Sequence, residues 1–203
     1  MNKRIDKQKI IYEVLKSLSK SSDFELSIDE VAKKLKFDRQ TNRKVLLDIF
    51  PEGLDSLIYE LSLLVNQEMK DEKKPRNFKN FKFNEKIKYF IFRRIKILNI
   101  LFDKRILLSL ILNQKAPLKL SKMLFGVSDE IMFLSGDKST DFNYYSKRLI
   151  LMKIYTLSFL FNLKDKSENF RDTKIFIDKQ INSVLMFGRI KSKIRDIFYT
   201  NTM

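Results

Sequence analysis

The 203-residue chain contains neither cysteine nor histidine. Without cysteine there is no disulfide framework and no thiol chemistry. Without histidine, the commonest general base, the commonest activator of a nucleophile and the commonest zinc ligand are missing together. Glycine and proline are scarce, at four and three residues, so few positions interrupt the long stretches of 3.6-residue apolar periodicity. The expected fold class is all-α. No apolar run reaches the ~18 residues that a bilayer span requires. The stretch from Met1 to Lys20 mixes acids and bases on a helical period and shows no signal-peptide apolar block and no transit sequence. Nor is there a phosphate-binding glycine loop, a metal-ligand cluster or a nucleophile beside a base. The expectation is a non-catalytic protein with no cofactor and no metal.

What the chain has in abundance is positive charge. Lys and Arg number 41 against 25 Asp and Glu, a net charge of +16. Such a balance points to nucleic acid, an anionic membrane or an acidic partner, or to lysine accumulating in an AT-biased genome and keeping the surface solvated. The composition, 44% hydrophobic and 33% charged, is that of a globular protein.

Residues 1–50 read as a three-helix head. Ile11, Val14, Leu15 and Leu18 form the stripe of a first helix. Ser27 and Glu30 are spaced as a capping box that opens a second helix carrying Val31, Ala32 and Leu35, and a third runs from about Arg39 to Ile49. Pro51 and Gly53 end it, and an amphipathic fourth helix follows with Leu54, Leu57, Ile58, Leu61, Leu64 and Val65 on one side. The order resembles the helix-turn-helix head of TetR-type regulators, most closely at Ile28–Leu35 and Phe50–Leu57. Arg39, Gln40, Thr41, Arg43 and Lys44 would then face a major groove, although Asp38 and Asp48 bracket that helix and do not suit phosphate contacts. A DNA-binding regulator is therefore the alternative reading, and nucleic acid is not the expected partner.

Residues 73–105 form a basic island, with twelve bases against Glu85 and Asp103. Its first part, through Phe83, reads as a loop with Asn84 as the next helix cap. Its second part reads as a helix with Ile87, Phe90, Ile91 and Leu98 on the apolar face. The interleaved aromatics suit a nucleic-acid groove or anionic headgroups. The helical aromatics are expected in the core, leaving the loop aromatics free.

Two helices are expected over about 104–113 and 117–134, the second with Pro117 in its first turn. A segment of different composition follows: Gly136-Asp137-Lys138-Ser139-Thr140-Asp141-Phe142-Asn143-Tyr144-Tyr145-Ser146-Lys147-Arg148. Gly136 can stop the preceding helix, and Ser139, Thr140 or Asp141 can cap the next. Tyr144, Tyr145 and Arg148 follow Asp141 at three, four and seven residues and share its helical face. That helix is apolar on two sides (Phe142, Tyr145, Leu149, Met152, Phe159, and Ile150, Ile154, Leu157, Phe161), so burial in the domain, or cover by a partner or ligand, is expected. After a turn at 165–168 a last long helix ends on Arg189, Lys191, Lys193, Ile194, Ile197 and Phe198. This is a basic amphipathic tip of the kind that lies on membranes.

The segment 136–148 resembles the signature of the accessory lipid-binding protein family of coenzyme Q (ubiquinone) biosynthesis, the ninth in that pathway's naming series. The family pattern Gly-Asp-x-Ser-Thr-Asp-Phe-Asn-Trp-Tyr-(Thr/Ser)-(Lys/Arg)-Arg stands here with Tyr144 in the place of Trp. The likeness continues through Leu151, Tyr155, Asp165-x-Ser167, Phe170-x-Asp172-Thr173 and Phe176-Ile177-Asp178, with Lys174 where the family commonly has Trp. The resemblance implies a TetR-regulator-like fold, with residues 1–50 as head and 51–203 as a helical region holding a lipid cavity and dimerising through the last two helices. It implies a non-catalytic protein that binds isoprenoid quinones or phospholipid and presents quinone intermediates to demethoxyubiquinone hydroxylase at an anionic membrane surface. By the same resemblance, Asp141 and Tyr144 belong to the hydroxylase-docking patch, with Tyr145 and Arg148 in the same sector. The expected setting is bacterial, cytoplasmic and peripheral to the inner membrane.

Overall fold

A computed structural model describes residues 7–21, 23–34, 39–71, 73–104, 106–108 and 117–200; the side chains of Ser19, of 39–41 and of 187–200 are outside the description. Among the described residues there are helices and no strand. They are α1 (Lys7–Ser21), α2 (Phe24–Lys34), α3 (Arg39–Ile49), α4 (Leu54–Asp71), α5 (Phe83–Leu101), α6 (Pro117–Ser135), α7 (Asp141–Lys164) and α8 (Arg171–Thr200), with 3₁₀ turns at Phe78–Asn80 and Glu168–Phe170. The all-α expectation holds. The helix expected over 104–113 lies largely outside the described residues.

α5 is the hub, packed against α4, α6, α7 and α8. Its sequence explains why: Phe90, Ile91 and Ile95 are fully enclosed, and Ile87, Ile97 and Leu98 nearly so. A helix with apolar side chains on most of its circumference can only be satisfied from several sides. One apolar core runs from Ile10 and Val14 in α1 through Leu57 and Val65 in α4 to Ile177 and Ile181 in α8.

The start of α2 differs from the expected capping box. Asp23 takes the cap role, its Oδ1 accepting from the Leu26 amide at 3.1 Å, and the helix begins at Phe24. Ser27 is then one turn inside, fully buried, donating to the Asp23 carbonyl at 2.7 Å. Glu30 bonds Ser17 of α1 and pairs with Lys34 at 2.8 Å. A residue that caps one turn earlier and a serine whose hydroxyl folds back produce the same local pattern. α5 likewise begins one residue before Asn84: the Glu85 carboxylate accepts from the Lys82 amide at 2.6 Å.

The loop before α5 departs from expectation more sharply. Phe78 is not free but buried. Its ring centroid lies 5.4 Å from Phe81, 5.2 Å from Tyr89 and 5.6 Å from Phe90. The 3₁₀ turn is thereby pinned to the first turns of α5. The exposed Lys73, Lys74, Arg76, Lys79 and Lys82 project from a fixed backbone, and among the described residues none of their side-chain charges is in an ion pair with a carboxylate. Among the described residues no helix is long and apolar enough to cross a membrane.

Candidate functional site

The turn between α6 and α7 is built as the sequence proposed at one end and differently at the other. Gly136 has φ +89°. The Asp137 amide reaches the Met132 carbonyl at 3.0 Å, and the Gly136 amide reaches Phe133 at 3.0 Å, which is a Schellman closure. Thr140 occupies the cap position of α7 in extended conformation, with no side-chain cap bond. Asp141 follows, exposed, at φ 56°, a left-handed conformation that aspartate tolerates better than most residues.

Five of the 136–148 side chains then close a corner between the helices. Arg148 is 4% exposed. Its Nε donates to Asp129 Oδ1 of α6 at 2.6 Å, and its Nη1 donates to Asp137 Oδ2 at 3.0 Å and to the Tyr144 carbonyl at 3.1 Å. The guanidinium carbon lies 3.4 Å from the centroid of the Tyr144 ring. Tyr144 completes the loop by donating its hydroxyl to the same Asp129 oxygen at 2.9 Å. Lys147 pairs with Asp137 Oδ1 at 2.8 Å, and Ser139 donates to Asp137 Oδ2.

The electrostatics follow from this wiring. Burial works to raise the Asp137 pKa, but hydrogen bonds from Lys147, Ser139 and Arg148 outweigh it and hold the carboxyl down at about 2. Burial also works against the Arg148 charge, and Asp129 and Asp137 outweigh it, raising the pKa above the ordinary arginine value. The hydrogen bond to Asp129 raises the Tyr144 pKa, with burial adding to it.

The four proposed docking residues therefore occupy different positions. Asp141 and Tyr145 are exposed, Tyr144 is half-buried under Arg148, and Arg148 faces the interior. Tyr145 is 60% exposed and its neighbour on the outer face, Phe142, is 82% exposed. Leu149, one turn on, is also exposed. So α7 buries one stripe (Arg148, Leu151, Tyr155, Phe159) and leaves the stripe Phe142, Tyr145, Leu149 uncovered. Of the side expected to be buried in the domain or covered by a partner or ligand, the domain itself encloses Phe159 and leaves Phe142, Tyr145 and Leu149 exposed. The sequence reading missed Asp129 and the anchoring part of Asp137. Nothing in their local spacing marks them, because the contacts span 19 and 11 residues.

Roughly 10 Å further along α7, at 1.5 Å per residue, an apolar cavity of about 190 Å³ opens between α4, α5, α6 and α7. Leu61, Leu98, Leu124, Val127 and Phe159 supply its apolar wall. Arg94 of α5 lies in the same wall and is 2% exposed, so one base of the island is an interior residue. Its spacing with Ile87, Ile91 and Leu98, at i, i+4, i+7 and i+11, already put it on the buried stripe.

In the head, Arg43 is held by Glu25 at 2.7 Å and by Asp29, Asn42 is buried and bonded to the Ala32 carbonyl at 2.9 Å, and Lys44 is exposed. The side chains of Arg39, Gln40 and Thr41 lie outside the described residues. The side chains of Arg189, Lys191, Lys193, Ile194, Ile197 and Phe198 also lie outside them, while the helical backbone of α8 continues to Thr200. Among the described residues no acidic cluster is placed to hold a metal ion.

Fold and site thus define an all-helical protein with an apolar cavity and an ion-paired corner at the mouth of one long helix. Comparison with known proteins shows what part of the chain is similar to. Residues 118–188 match the family described as COQ9. The chain is 36% identical over 91 residues to the ubiquinone biosynthesis protein COQ9, mitochondrial, of Rattus norvegicus, covering 45% of this chain and 29% of the rat protein. It is 33% identical over 91 residues to the Homo sapiens protein of the same name, covering 45% and 28%. Against that of Schizosaccharomyces pombe it is 37% identical over 68 residues, covering 34% and 27%. The match spans less than a third of each relative. These relatives are named as mitochondrial proteins of eukaryotes, which overturns the expectation of a bacterial, cytoplasmic protein at an inner membrane.

Proposed function

We propose that the chain is a non-catalytic lipid-binding accessory protein of ubiquinone biosynthesis, which holds isoprenoid quinone or phospholipid and presents quinone intermediates to demethoxyubiquinone hydroxylase at an anionic membrane surface. One observation carries the reading. The family-matching segment, 118–188, supplies eight of the fourteen residues that line the apolar cavity and also contains the whole ion-paired corner. A polyprenyl tail is so apolar that transfer from a bilayer to an aqueous enzyme needs an apolar host, and the cavity is of that chemistry.

Three surfaces divide the work. The Phe142, Tyr145, Leu149 stripe, with Asp141, is the hydroxylase-docking face; it is exposed, aromatic and rimmed by charge, as hot-spot patches are. The exposed bases of 73–82 are the surface for anionic headgroups. They meet the corner where Lys147 Nζ lies 5.8 Å from the Phe83 ring, so membrane and partner would be engaged side by side. The exposed Leu157, Phe161, Ile175 and Val184 of α7 and α8 support a homodimer through those helices. Arg43, neutralised within the head, does not favour a DNA-binding alternative.

The test is extraction of the purified protein with organic solvent and mass spectrometry of the extract, with quinone profiling of a deletion strain. Bound isoprenoid or phospholipid, with accumulated demethoxyubiquinone in the deletion, supports the proposal. Lipid-free protein and an unaltered quinone pool would sink it.

A further inference from the structure

Arg94 is the one cation named above that is both interior and unmatched by an acid. Its Nε donates to the Tyr155 hydroxyl at 3.2 Å, its Nη2 to Ser62 Oγ at 2.9 Å and to the Ser62 carbonyl at 3.4 Å, and its Nη1 to Asn66 Oδ1. Every partner is a neutral oxygen. Among the described residues no carboxylate lies within 4 Å of it. A guanidinium cannot shed its proton in a protein, so the full charge stays in the wall of a cavity whose other lining is overwhelmingly apolar. Dipoles compensate such a charge in part; an anion compensates it fully, and in low dielectric the attraction is strong.

The cavity's size limits what can enter. At about 190 Å³ it is somewhat larger than the ~150 Å³ void that accommodates benzene. It therefore takes one ring or a short length of chain beside Arg94, and not a whole polyprenyl lipid. The four polar groups converge from α4, α5 and α7, and each is oriented by the others before any ligand arrives, which lowers the ordering cost of binding.

We infer that Arg94 is the head-recognition residue of the cavity, selecting amphiphiles whose apolar body ends in an anionic oxygen, such as a carboxylate or an acidic phenol, over neutral lipids of the same shape. This rests on the lipid-holding role proposed above. A guanidinium binding an anionic oxygen makes a charge-assisted hydrogen bond, roughly twice as strong as the neutral one an ester could accept.

The test uses the full chain and two probes of one shape, cis-parinaric acid and its methyl ester, titrated by fluorescence in high salt so that the surface charge is screened. The acid is expected to bind at least about tenfold tighter than the ester, the discrimination a single charge-assisted contact supplies. Arg94→Met should abolish that preference, weakening the acid at least about tenfold and the ester less, since the ester loses only the weaker neutral hydrogen bond. Arg94→Lys, which keeps the charge, should retain a preference for the acid even if Arg94→Met does not fold. Leu124→Trp, which fills the cavity, should remove binding of both probes. Equal binding of acid and ester by the native protein overturns the assignment of Arg94 and leaves the lipid-holding role standing. Binding of neither probe overturns both.

Discussion

Arg148 Nε and Asp129 Oδ1 lie 2.6 Å apart across the angle between α6 and α7, and this contact turns the signature's last residue inward. Arg148 forks between the half-exposed Asp129 and the almost fully buried Asp137, and Asp137 keeps Lys147 and Ser139 when Arg148 is removed. Arg148→Met is expected to cost about 1.5–3 kcal/mol, the usual loss of a hydrogen bond to a charged group. Arg148→Lys should recover little of that, because an ammonium cannot span two carboxylates with a planar fork. Urea unfolding of the two variants reads both numbers. Losses below about 0.5 kcal/mol, the range of exposed sites, would mean that the corner is not closed in solution.

The same corner changes how the docking face should be probed. Tyr144 donates to Asp129 and lies under Arg148, so Tyr144→Asp would set a second carboxylate against Asp129 and disturb the fold as well as any interface. Tyr144→Phe should cost about 1 kcal/mol for the lost hydrogen bond. Phe142→Ser and Tyr145→Ala, at 82% and 60% exposure, should leave the unfolding midpoint unchanged and weaken hydroxylase binding by about tenfold or more, as loss of an aromatic anchor does. Surface plasmon resonance against the hydroxylase measures this. Undiminished binding by both variants would remove the stripe from the interface.

Helix boundaries were legible where single residues dictate them. Pro117 starts α6, Gly136 ends it, and α3 runs over its expected residues. They were less legible where two residues compete for one role, as Asp23 and Ser27 do before α2. The site was legible in location and not in wiring. The compositional oddity at 136–148 marked the corner, but its anchor Asp129 is 19 residues from Arg148 and no periodicity connects them. The basic island misled in both directions: Phe78, in a loop between Asn77 and Lys79, closes onto Tyr89 and Phe90, whereas Arg94, counted among the island's bases, is interior although its spacing lies on the buried stripe.

The loop 73–82 offers an independent prediction. Its five bases are exposed on a backbone anchored by Phe78, and among the described residues none is in an ion pair with a carboxylate. Of the five, Lys74 lies over the Phe78 and Phe90 rings, so replacing them with glutamine should lower stability by no more than the ~0.5–1 kcal/mol of an exposed cation–π contact. It should weaken binding to phosphatidylserine-containing vesicles by several kcal/mol in total, given about 1 kcal/mol per base near an anionic surface. Native binding should also fall steeply with salt. Co-sedimentation at low and high salt checks both. If the five-fold variant still sediments with vesicles, headgroup contact lies elsewhere.

Acid stability follows from two carboxylates held down to about 2. Asp137 is one. Asp165 is the other: burial works to raise it, but the Ser167 and Thr173 hydroxyls and amides, at 2.5–2.9 Å, lower it. Both are depressed in the folded chain relative to the ordinary 3.8, so the unfolded chain binds more protons in acid. Their stabilisation is present above about pH 4, fades as the pH falls towards 2, and is absent below the folded value. Each is expected to contribute roughly 1–2 kcal/mol across that window. Asp165 ties the end of α7 to Thr173 of α8, and the Lys104 ammonium donates to its carbonyl at 2.6 Å. Asp165→Asn should therefore lower stability at pH 7 and flatten its fall between pH 4 and 2. Urea titrations at several pH values would show this as converging midpoints for native and variant protein in acid. Parallel curves would mean that Asp165 titrates at its ordinary value.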